Sequence, residues 1–269
     1  MEEIKSFFEK ENIEYFAVLP YSLCRETAPE IMARESFTPK SVIIFLIPYY
    51  TGDGVNLSRY AVSLDYHLCI KDISSRLTTL LSEKFPSSSQ RAYGDHSPID
   101  ERHAAISAGL GILGDNGLLL NEKYGSYVFI ADVVTNIEPE KLGAITDAMP
   151  LRRCEGCGKC KKACPTGILL GSGSDCLSFI TQKKGELTED EAALMKRYNL
   201  AWGCDECQRV CPHNKSPKMT PVSFFYEKRI ENLTSEILSE MTKEEFKCRA
   251  FAWRGRKVVE RNLKILEEN

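Results

Sequence analysis

The cysteines constrain this chain of 269 residues more than any other feature of its sequence. Eleven cysteines are present, and seven of them form two closely spaced series. The first series is Cys154, Cys157, Cys160 and Cys164, followed directly by Pro165. The second is Cys204, Cys207 and Cys211, followed by Pro212. Thiolates repeated every third residue on a short loop are suited to binding a metal cluster, so we expect the chain to fold around such a centre.

The spacing of the first series, C-x2-C-x2-C-x3-C-P, is that of the bacterial ferredoxins. In that pattern three thiolates bind one cubane and the fourth binds the other, so we predict two [4Fe–4S] clusters. The predicted ligands of cluster 1 are Cys154, Cys157, Cys160 and Cys211. Those of cluster 2 are Cys164, Cys176, Cys204 and Cys207. Cys176 is included because it is the one further cysteine near the two series.

Two other uses of these cysteines stay open at this point. Zinc sites with four cysteine ligands also use Cys-x-x-Cys pairs, but such pairs normally stop at two cysteines per knuckle. A disulfide framework would require an oxidising compartment, and nothing in the sequence marks the chain as secreted.

Composition is that of an ordinary globular protein, with 43% hydrophobic and 27% charged residues. The N-terminal segment is acidic and amphipathic, unlike a signal peptide, and the longest apolar run, 42–47, is too short to span a membrane. Oxygen-sensitive clusters without a targeting segment predict a cytoplasmic protein. The net charge of −3 gives no general footprint for nucleic acid, so any such binding must use a local patch.

Hydrophobic periodicity predicts strands and helices on both sides of a boundary before the first cysteine series. Strands are expected at 13–19, 41–47 and 127–134, the second of them buried on both faces. Helices are expected at 2–11, 26–35, 57–84, 104–110, 189–200, 232–240, 243–250 and 255–267. The predicted organisation is an α/β (α+β) domain at 1–145, a two-cluster domain at 146–220 and a helical tail at 221–269.

Several local segments, taken together, carry a family resemblance. They are Arg59-Tyr60-Ala61, Asp65-Tyr66-His67, Asp95-His96-Ser97-Pro98-Ile99-Asp100-Glu101-Arg102, Ala108-Gly109-Leu110-Gly111, Gly114-Asp115-Asn116, Tyr124-Gly125-Ser126-Tyr127 and the two cysteine series. In this order the chain resembles the epoxyqueuosine reductases and, more distantly, the reductive dehalogenases. The resemblance implies a nitroreductase-like cobalamin-binding domain followed by a ferredoxin-like domain, with electrons passing from cluster to cluster to cobalt.

The resemblance also implies roles for particular residues. Asp95 matches the proposed proton donor, and Tyr66 and His67 match residues that line the same cavity. The residues matched to cobalamin contacts are Arg59, Asp95, Gly114, Asn116, Gly125, Ser126 and Tyr127. An acid beside the oxygen of an opening epoxide would lower the barrier by protonating the alkoxide. The plainer alternative is that Asp95 caps the helix that follows it, with Glu101 in the first turn.

The chain departs from the family pattern at two points that bear on function. Asp115 stands where the family usually has lysine, and the family's C-terminal helical-repeat segment, which helps grip tRNA, is not in this sequence. A basic segment with interleaved aromatic residues remains near the end: Lys247, Arg249, Phe251, Trp253, Arg254, Arg256, Lys257, Arg261 and Lys264. Phosphate contacts and stacking are what RNA binding requires, but the same charges could simply form a solvated helix face.

The predicted function is therefore a cobalamin- and iron–sulfur-dependent oxidoreductase that resembles tRNA epoxyqueuosine reductase. Three alternatives stay open: a cobalamin enzyme acting on a small molecule, a two-cluster electron carrier or corrinoid reductase, and a nucleic-acid-binding accessory protein. The expected partners are a low-potential donor of the flavodoxin or ferredoxin type and tRNA. We expect a monomer that does not bind membranes.

Overall fold

The computed structural model describes residues 2–173 and 175–268. By its internal contacts the chain divides into two compact units, the first formed by residues 1–48 and 69–156 and the second by 49–68 and 157–269. The division assigns 49–68 to the second unit, whereas the sequence analysis placed them in the first domain. The domain boundaries at 145 and 220 remain a prediction.

The first unit is built on a four-stranded antiparallel sheet. Its elements in chain order are α1 (Glu2–Lys10), β1 (Phe16–Pro20), α2 (Pro29–Met32), β2 (Ser41–Pro48), α3 (Tyr66–Lys84), β3 (Gln90–Gly94), α4 (Glu101–Ser107), β4 (Ile112–Leu113), β5 (Leu119–Leu120), β6 (Val128–Thr135) and α5 (Pro139–Leu142). The strand order is β1-β2-β6-β3, and β4 pairs with β5 in a separate two-stranded hairpin. The first turn of α3 belongs to the second unit.

Both faces of the sheet are covered by helices. On one face Phe8 of α1 packs against Phe45 of β2, with ring centroids 5.1 Å apart. On the other face α4 packs through Ile106 on the side chains of Ile44 and Val134. All eight residues of β2 are buried, which confirms the prediction of a strand buried on both faces. The mixed architecture agrees with the predicted α/β (α+β) class.

The second unit is predominantly helical. Its helices are α6 (Lys159–Ala163), α7 (Leu177–Gln182), α8 (Glu189–Tyr198), α9 (Glu206–Arg209), α10 (Ser235–Glu240), α11 (Lys243–Lys247) and α12 (Arg256–Glu267). Two of them start with a capping box, in which Thr188 exchanges hydrogen bonds with Glu191 and Thr242 with Glu245. The core surrounds Trp202, which is fully buried.

Polar side chains tie distant segments of the second unit together. The amide of Asn262 on α12 donates to the carbonyl groups of Thr181 (2.6 Å) and Ala201 (2.8 Å). Asn56 donates to Leu233 O and accepts from its N–H. Because each amide satisfies buried backbone groups from another segment, these contacts fix how the segments pack.

The structure corrects two of the predicted elements and contains a strand that was not predicted. The helix expected at 57–84 begins only at Tyr66, because residues 59–61 form a 3₁₀ turn and Ser58 and Arg59 both bind Asp205. The helix expected at 26–35 is limited to α2. The strand β3 was not predicted, since the short sequence QRAYG has little hydrophobic alternation.

Candidate active site and cluster centre

The first cysteine series lies on a loop shaped by glycines. Gly156 and Gly158 have φ of 66° and 71°, the left-handed conformation that glycine adopts at little cost. Gly158 precedes α6, which carries the buried Cys160 between Cys157 and Cys164. The loop therefore turns sharply between successive cysteines, as a chain must to direct several thiolates at one cluster.

A second tight loop surrounds Cys164. Burial raises the pKa of the Cys164 thiol, but backbone N–H groups of Leu169, Thr166 and Gly167, with the Thr166 hydroxyl, outweigh it and lower the pKa overall. The loop closes so tightly that a Cβ on Gly173 would lie 2.2 Å from the carbonyl oxygen of Thr166. These donors stabilise a thiolate, which is the form that binds iron.

Cys176, Cys204 and Cys207 interact electrostatically within the second unit. Burial, together with the charges of Cys176, Asp205 and Cys207, raises the pKa of Cys204 to about 12. Bound iron would replace the proton that this environment otherwise favours. The proximity supports Cys176 as the eighth ligand, and the ligand assignment remains a proposal.

The arrangement of the cysteines also bears on the alternatives. None of the eleven cysteines, all of which lie within the described residues, forms a disulfide. Within 2–173 and 175–268, no three His, Cys, Asp or Glu side chains are grouped closely enough to bind one metal ion. Ligands of a cubane each bind a different iron and stand further apart than zinc ligands. The choice between cubanes and zinc therefore rests on the spacing of the two cysteine series.

Arg59 belongs to an ion-pair network beside the second cysteine series, in which the side chains of Arg59 and Asp205 are largely buried and that of Asp53 is exposed. Its Nη2 lies 2.6 Å from Asp53, and its Nη1 lies 3.3 Å from Asp205, which stands between Cys204 and Cys207. Asp205 also accepts hydrogen bonds from Ser58 Oγ (2.6 Å) and the Arg59 backbone N–H (2.7 Å). The guanidinium therefore has a structural task here, and its predicted contact with cobalamin stays a prediction.

Tyr66 and His67 start helix α3. Their rings stack with centroids 4.2 Å apart, and His67 Nδ1 lies 2.8 Å from the carboxylate of Asp65. Asp65 also accepts the backbone N–H of His67, so this aspartate orients the histidine and starts the helix. A histidine held by a carboxylate at one ring nitrogen presents the other for hydrogen bonding. The cavity-lining roles of both residues remain predicted.

Asp95 occupies an exposed loop between β3 and α4. Its φ of 68° is left-handed, a conformation uncommon for residues other than glycine but tolerated by aspartate and asparagine. The N-cap of α4 is Asp100, whose side chain accepts the N–H of His103 at 3.0 Å. The alternative that Asp95 caps this helix is therefore wrong. Asp95 occupies a strained position that capping does not explain.

The turn at 114–118 contains an unsatisfied buried amide. Its Asn116 Oδ1 accepts from the N–H of Leu118, whereas Asn116 Nδ2 is buried without a hydrogen-bond partner. A Cβ on Gly114 would lie 2.5 Å from Asn116 Oδ1, so a larger residue at this position would displace the asparagine amide. Cobalamin carries peripheral amide carbonyls, which could accept from Asn116 Nδ2. This donor fits the predicted cofactor.

The neighbouring residue of the same turn contacts a predicted cluster ligand. The backbone N–H of Asp115 donates to Cys154 Sγ at 3.3 Å, a contact that does not depend on the side chain at position 115. Hydrogen bonds to ligand sulfurs tune cluster potentials. The replacement of the family's lysine by Asp115 therefore leaves this N–H···S bond in place.

A turn closed by two backbone hydrogen bonds between Asn121 and Gly125 precedes Ser126 and Tyr127. Gly125 has φ 59°, and the amide of Asn121 anchors the turn to the carbonyl of Leu110 at 2.9 Å. Ser126 and Tyr127 are both buried. The structure thus gives a local reason for the glycine, while the predicted corrin contacts of the three residues stay predictions.

Two further acidic residues, Asp132 and Glu101, were not predicted to take part in the site. Asp132 lies in β6 with no exposure, and the pKa of both carboxyls is raised by burial. A signal was available, because a single aspartate interrupts the apolar run VFIADVVT.

The fold and the cysteine loops define an iron–sulfur oxidoreductase with a mixed α/β unit, and the relatives agree. Residues 153–214 match the 4Fe-4S double cluster binding domain family. The epoxyqueuosine reductase of Listeria monocytogenes is 31% identical over 96% of this chain and 71% of its own length. That of Cyclobacterium marinum is 33% identical over 77% and 68%. The chain belongs to the epoxyqueuosine reductase family, as the resemblance predicted.

Further relatives agree in fold. The epoxyqueuosine reductase structure from Bacillus subtilis matches with a TM-score of 0.79 and 23% identity, covering 98% of this chain and 80% of that one. The Bacillus cereus epoxyqueuosine reductase is 34% identical, but the chain spans only 53% of its length. The family uses two [4Fe–4S] clusters and cobalamin, the predicted cofactors. Across 2–173 and 175–268, no helix has the length and apolarity needed to cross a bilayer.

Proposed function

We propose that this protein reduces the epoxide of epoxyqueuosine in tRNA, using cobalamin and two [4Fe–4S] clusters. The observation that carries the proposal is the Asp95 loop: a strained, exposed aspartate with no capping task, in a chain of the epoxyqueuosine reductase family. A structure of the Bacillus subtilis enzyme has its aspartate-bearing catalytic loop swung out of the active site. A related structure contains an epoxyqueuosine-modified tRNA stem loop.

The roles follow from the chemistry of epoxide removal. The reaction consumes two electrons and two protons and releases the epoxide oxygen as water. Bound cobalamin would supply a low-valent metal nucleophile for the epoxide carbon. Asp95 would protonate the oxygen as its bond to carbon breaks, and Asn116 Nδ2 would orient the cofactor. The eight cysteines would bind the two clusters that carry electrons from a flavodoxin- or ferredoxin-type donor. We propose that the protein acts as a cytoplasmic monomer.

The direct test is anaerobic reconstitution followed by cobalamin titration and turnover. The reconstituted protein should bind cobalamin with a change in its Co(II) EPR spectrum, and should convert an epoxyqueuosine-containing stem loop in the presence of a low-potential reductant. Cobalamin binding without conversion of the stem loop would favour a small-molecule substrate instead. Intact clusters without cobalamin binding would favour an electron carrier.

Only part of the basic segment at 247–264 is available to contact tRNA. Three arginines of the basic segment serve the fold: Arg249 donates to Lys228 O, Arg256 to Leu238 O and Arg261 to Lys183 O. The exposed remainder includes Trp253 with the Arg254 guanidinium 3.7 Å above its ring, and the exposed Lys257. An exposed indole stacked with a cation is a suitable platform for an unpaired base.

Replacing Trp253 with alanine is expected to weaken stem-loop binding about tenfold, because stacking on an aromatic ring contributes ~1–3 kcal/mol per base. Lys257→Gln should instead reduce the salt dependence of binding by about one counterion. The control is Lys159→Gln, which replaces an exposed lysine at the start of α6. Fluorescence anisotropy at several salt concentrations measures both effects. If Trp253→Ala binds like the unchanged protein, the stem loop contacts another surface.

A further inference from the structure

A buried carboxyl pair lies beneath the Asp95 loop. Asp132 is fully buried in β6, opposite Ile44 of β2 and Tyr93 of β3. Neither of its carboxyl oxygens has a donor in good hydrogen-bond geometry, and Oε1 of Glu101, the first residue of α4, is also buried without one. An ionised carboxylate in such a place is costly unless a donor or a cation compensates it.

The two acids supply the missing donor to each other. Burial raises the pKa of Glu101, and the charge of Asp132 raises it further. Burial likewise raises the pKa of Asp132, and hydrogen bonding with the Ser97 hydroxyl and with Glu101 lowers it in part. Two adjacent carboxylates that are largely shielded from water do not both ionise readily. One proton held by the pair gives the O–H group that its partner oxygen can accept, so the two titrate as a unit.

The groups whose charges interact with the pair include a thiol, a phenol and two acids, and Arg25 lies 3.8 Å from one of those acids, Asp100. Burial raises the pKa of Cys24 and of Tyr93, and the charge of Asp132 raises each further. Asp100 and Asp95 add negative charge on the side of Glu101. None of these four groups is a cation, so a second ionisation of the pair would add to existing repulsion.

Glu101 also contacts the backbone of the Asp95 loop. The Asp95 N–H donates to the Glu101 carboxyl, which lowers the pKa of that acid and opposes the effect of burial. The far end of the loop is held independently, since Asp100 N–H donates to Arg25 O at 2.8 Å and Thr27 N–H to Pro98 O at 2.9 Å. Glu101 therefore contacts the loop at the left-handed Asp95 itself.

We propose that Glu101 is a positioning residue for Asp95, and that it holds the loop only while the Glu101–Asp132 pair retains a proton. The catalytic meaning of this device rests on the proposed function. Loss of the proton places like charges side by side, so Glu101 moves away from Asp132 and releases the Asp95 backbone. Since the pKa of both acids is raised by folding, the stability that the protonated pair contributes is present at low pH and is lost as pH rises past the raised pKa.

Hydrogen exchange tests the device without turnover. In the reconstituted protein, amides of residues 94–97 should lose about tenfold in protection as the pH rises from about 6 to about 9, beyond the ordinary base catalysis of exchange. Glu101→Gln keeps an acceptor oxygen but cannot ionise, so its protection should not change with pH. Asp132→Asn should behave like it. Asp100→Asn, which keeps the cap oxygen and removes a nearby charge, is the matched control and should retain the pH dependence.

Turnover provides the second readout. Glu101→Gln should keep an unchanged KM and lose the decline of kcat at alkaline pH, whereas Glu101→Ala should lower kcat about tenfold or more because Asp95 is no longer held in place. The same pH dependence of exchange in all four proteins would overturn the proposal. If the exchange result holds but the stem loop is not reduced, the positioning device stands and the proposed substrate is wrong.

Discussion

Asp95→Asn is expected to lower turnover by about 10²-fold or more, since a positioned general acid typically contributes 10²–10⁴-fold to a rate. Asparagine is the informative replacement because it also tolerates the left-handed conformation that Asp95 adopts. It should therefore preserve the loop and remove only the ionisable proton. Single-turnover assays on the reduced, cobalamin-loaded protein measure the effect.

Two controls accompany this variant. Iron content and the cob(II)alamin EPR spectrum should be unchanged, which separates a lost proton donor from a lost cofactor. His96→Gln, at the adjacent exposed position, should retain turnover near that of the unchanged protein. Substantial turnover by Asp95→Asn would show that the proton comes from another group.

Cys176→Ala should remove one complete cluster and about half of the bound iron, because a cubane normally requires all four of its thiolates. Cys176 precedes α7, and its charge acts on the half-buried Cys204, so we expect the cluster it shares with Cys204 and Cys207 to be lost. Iron analysis and the EPR spectrum of the reduced protein report the number of clusters. Electron transfer to cobalamin should fail as a consequence.

The matched control is Cys69→Ala. Cys69 is a buried thiol whose pKa is raised to about 12 by burial, and it belongs to neither cysteine series. Its replacement should leave the iron content unchanged. Full iron content in Cys176→Ala would mean that another residue supplies the eighth ligand.

Much of this protein could be predicted from short stretches of sequence. The cluster chemistry follows from cysteines three residues apart, and the buried strand β2 follows from one continuous apolar run. The starts of helices α8 and α11 follow from capping boxes, each of which is a motif of four consecutive residues. The errors occur where a tertiary contact or the local loop geometry sets the start of a helix. Ser58 binds Asp205, and the helix predicted at 57–84 begins only at Tyr66. Asp100, rather than Asp95, caps α4.

The sequence by itself determined the cofactor class and the family, because cysteine spacing and linear motifs are local properties of the chain. Only the tertiary structure showed that Asp132 on β6 lies with Glu101 beneath Asp95, and that three arginines of the basic segment serve backbone carbonyls. Such relations join residues far apart in the chain. Their energies depend on burial and on the distance between charges, and both of these exist only once the chain has folded.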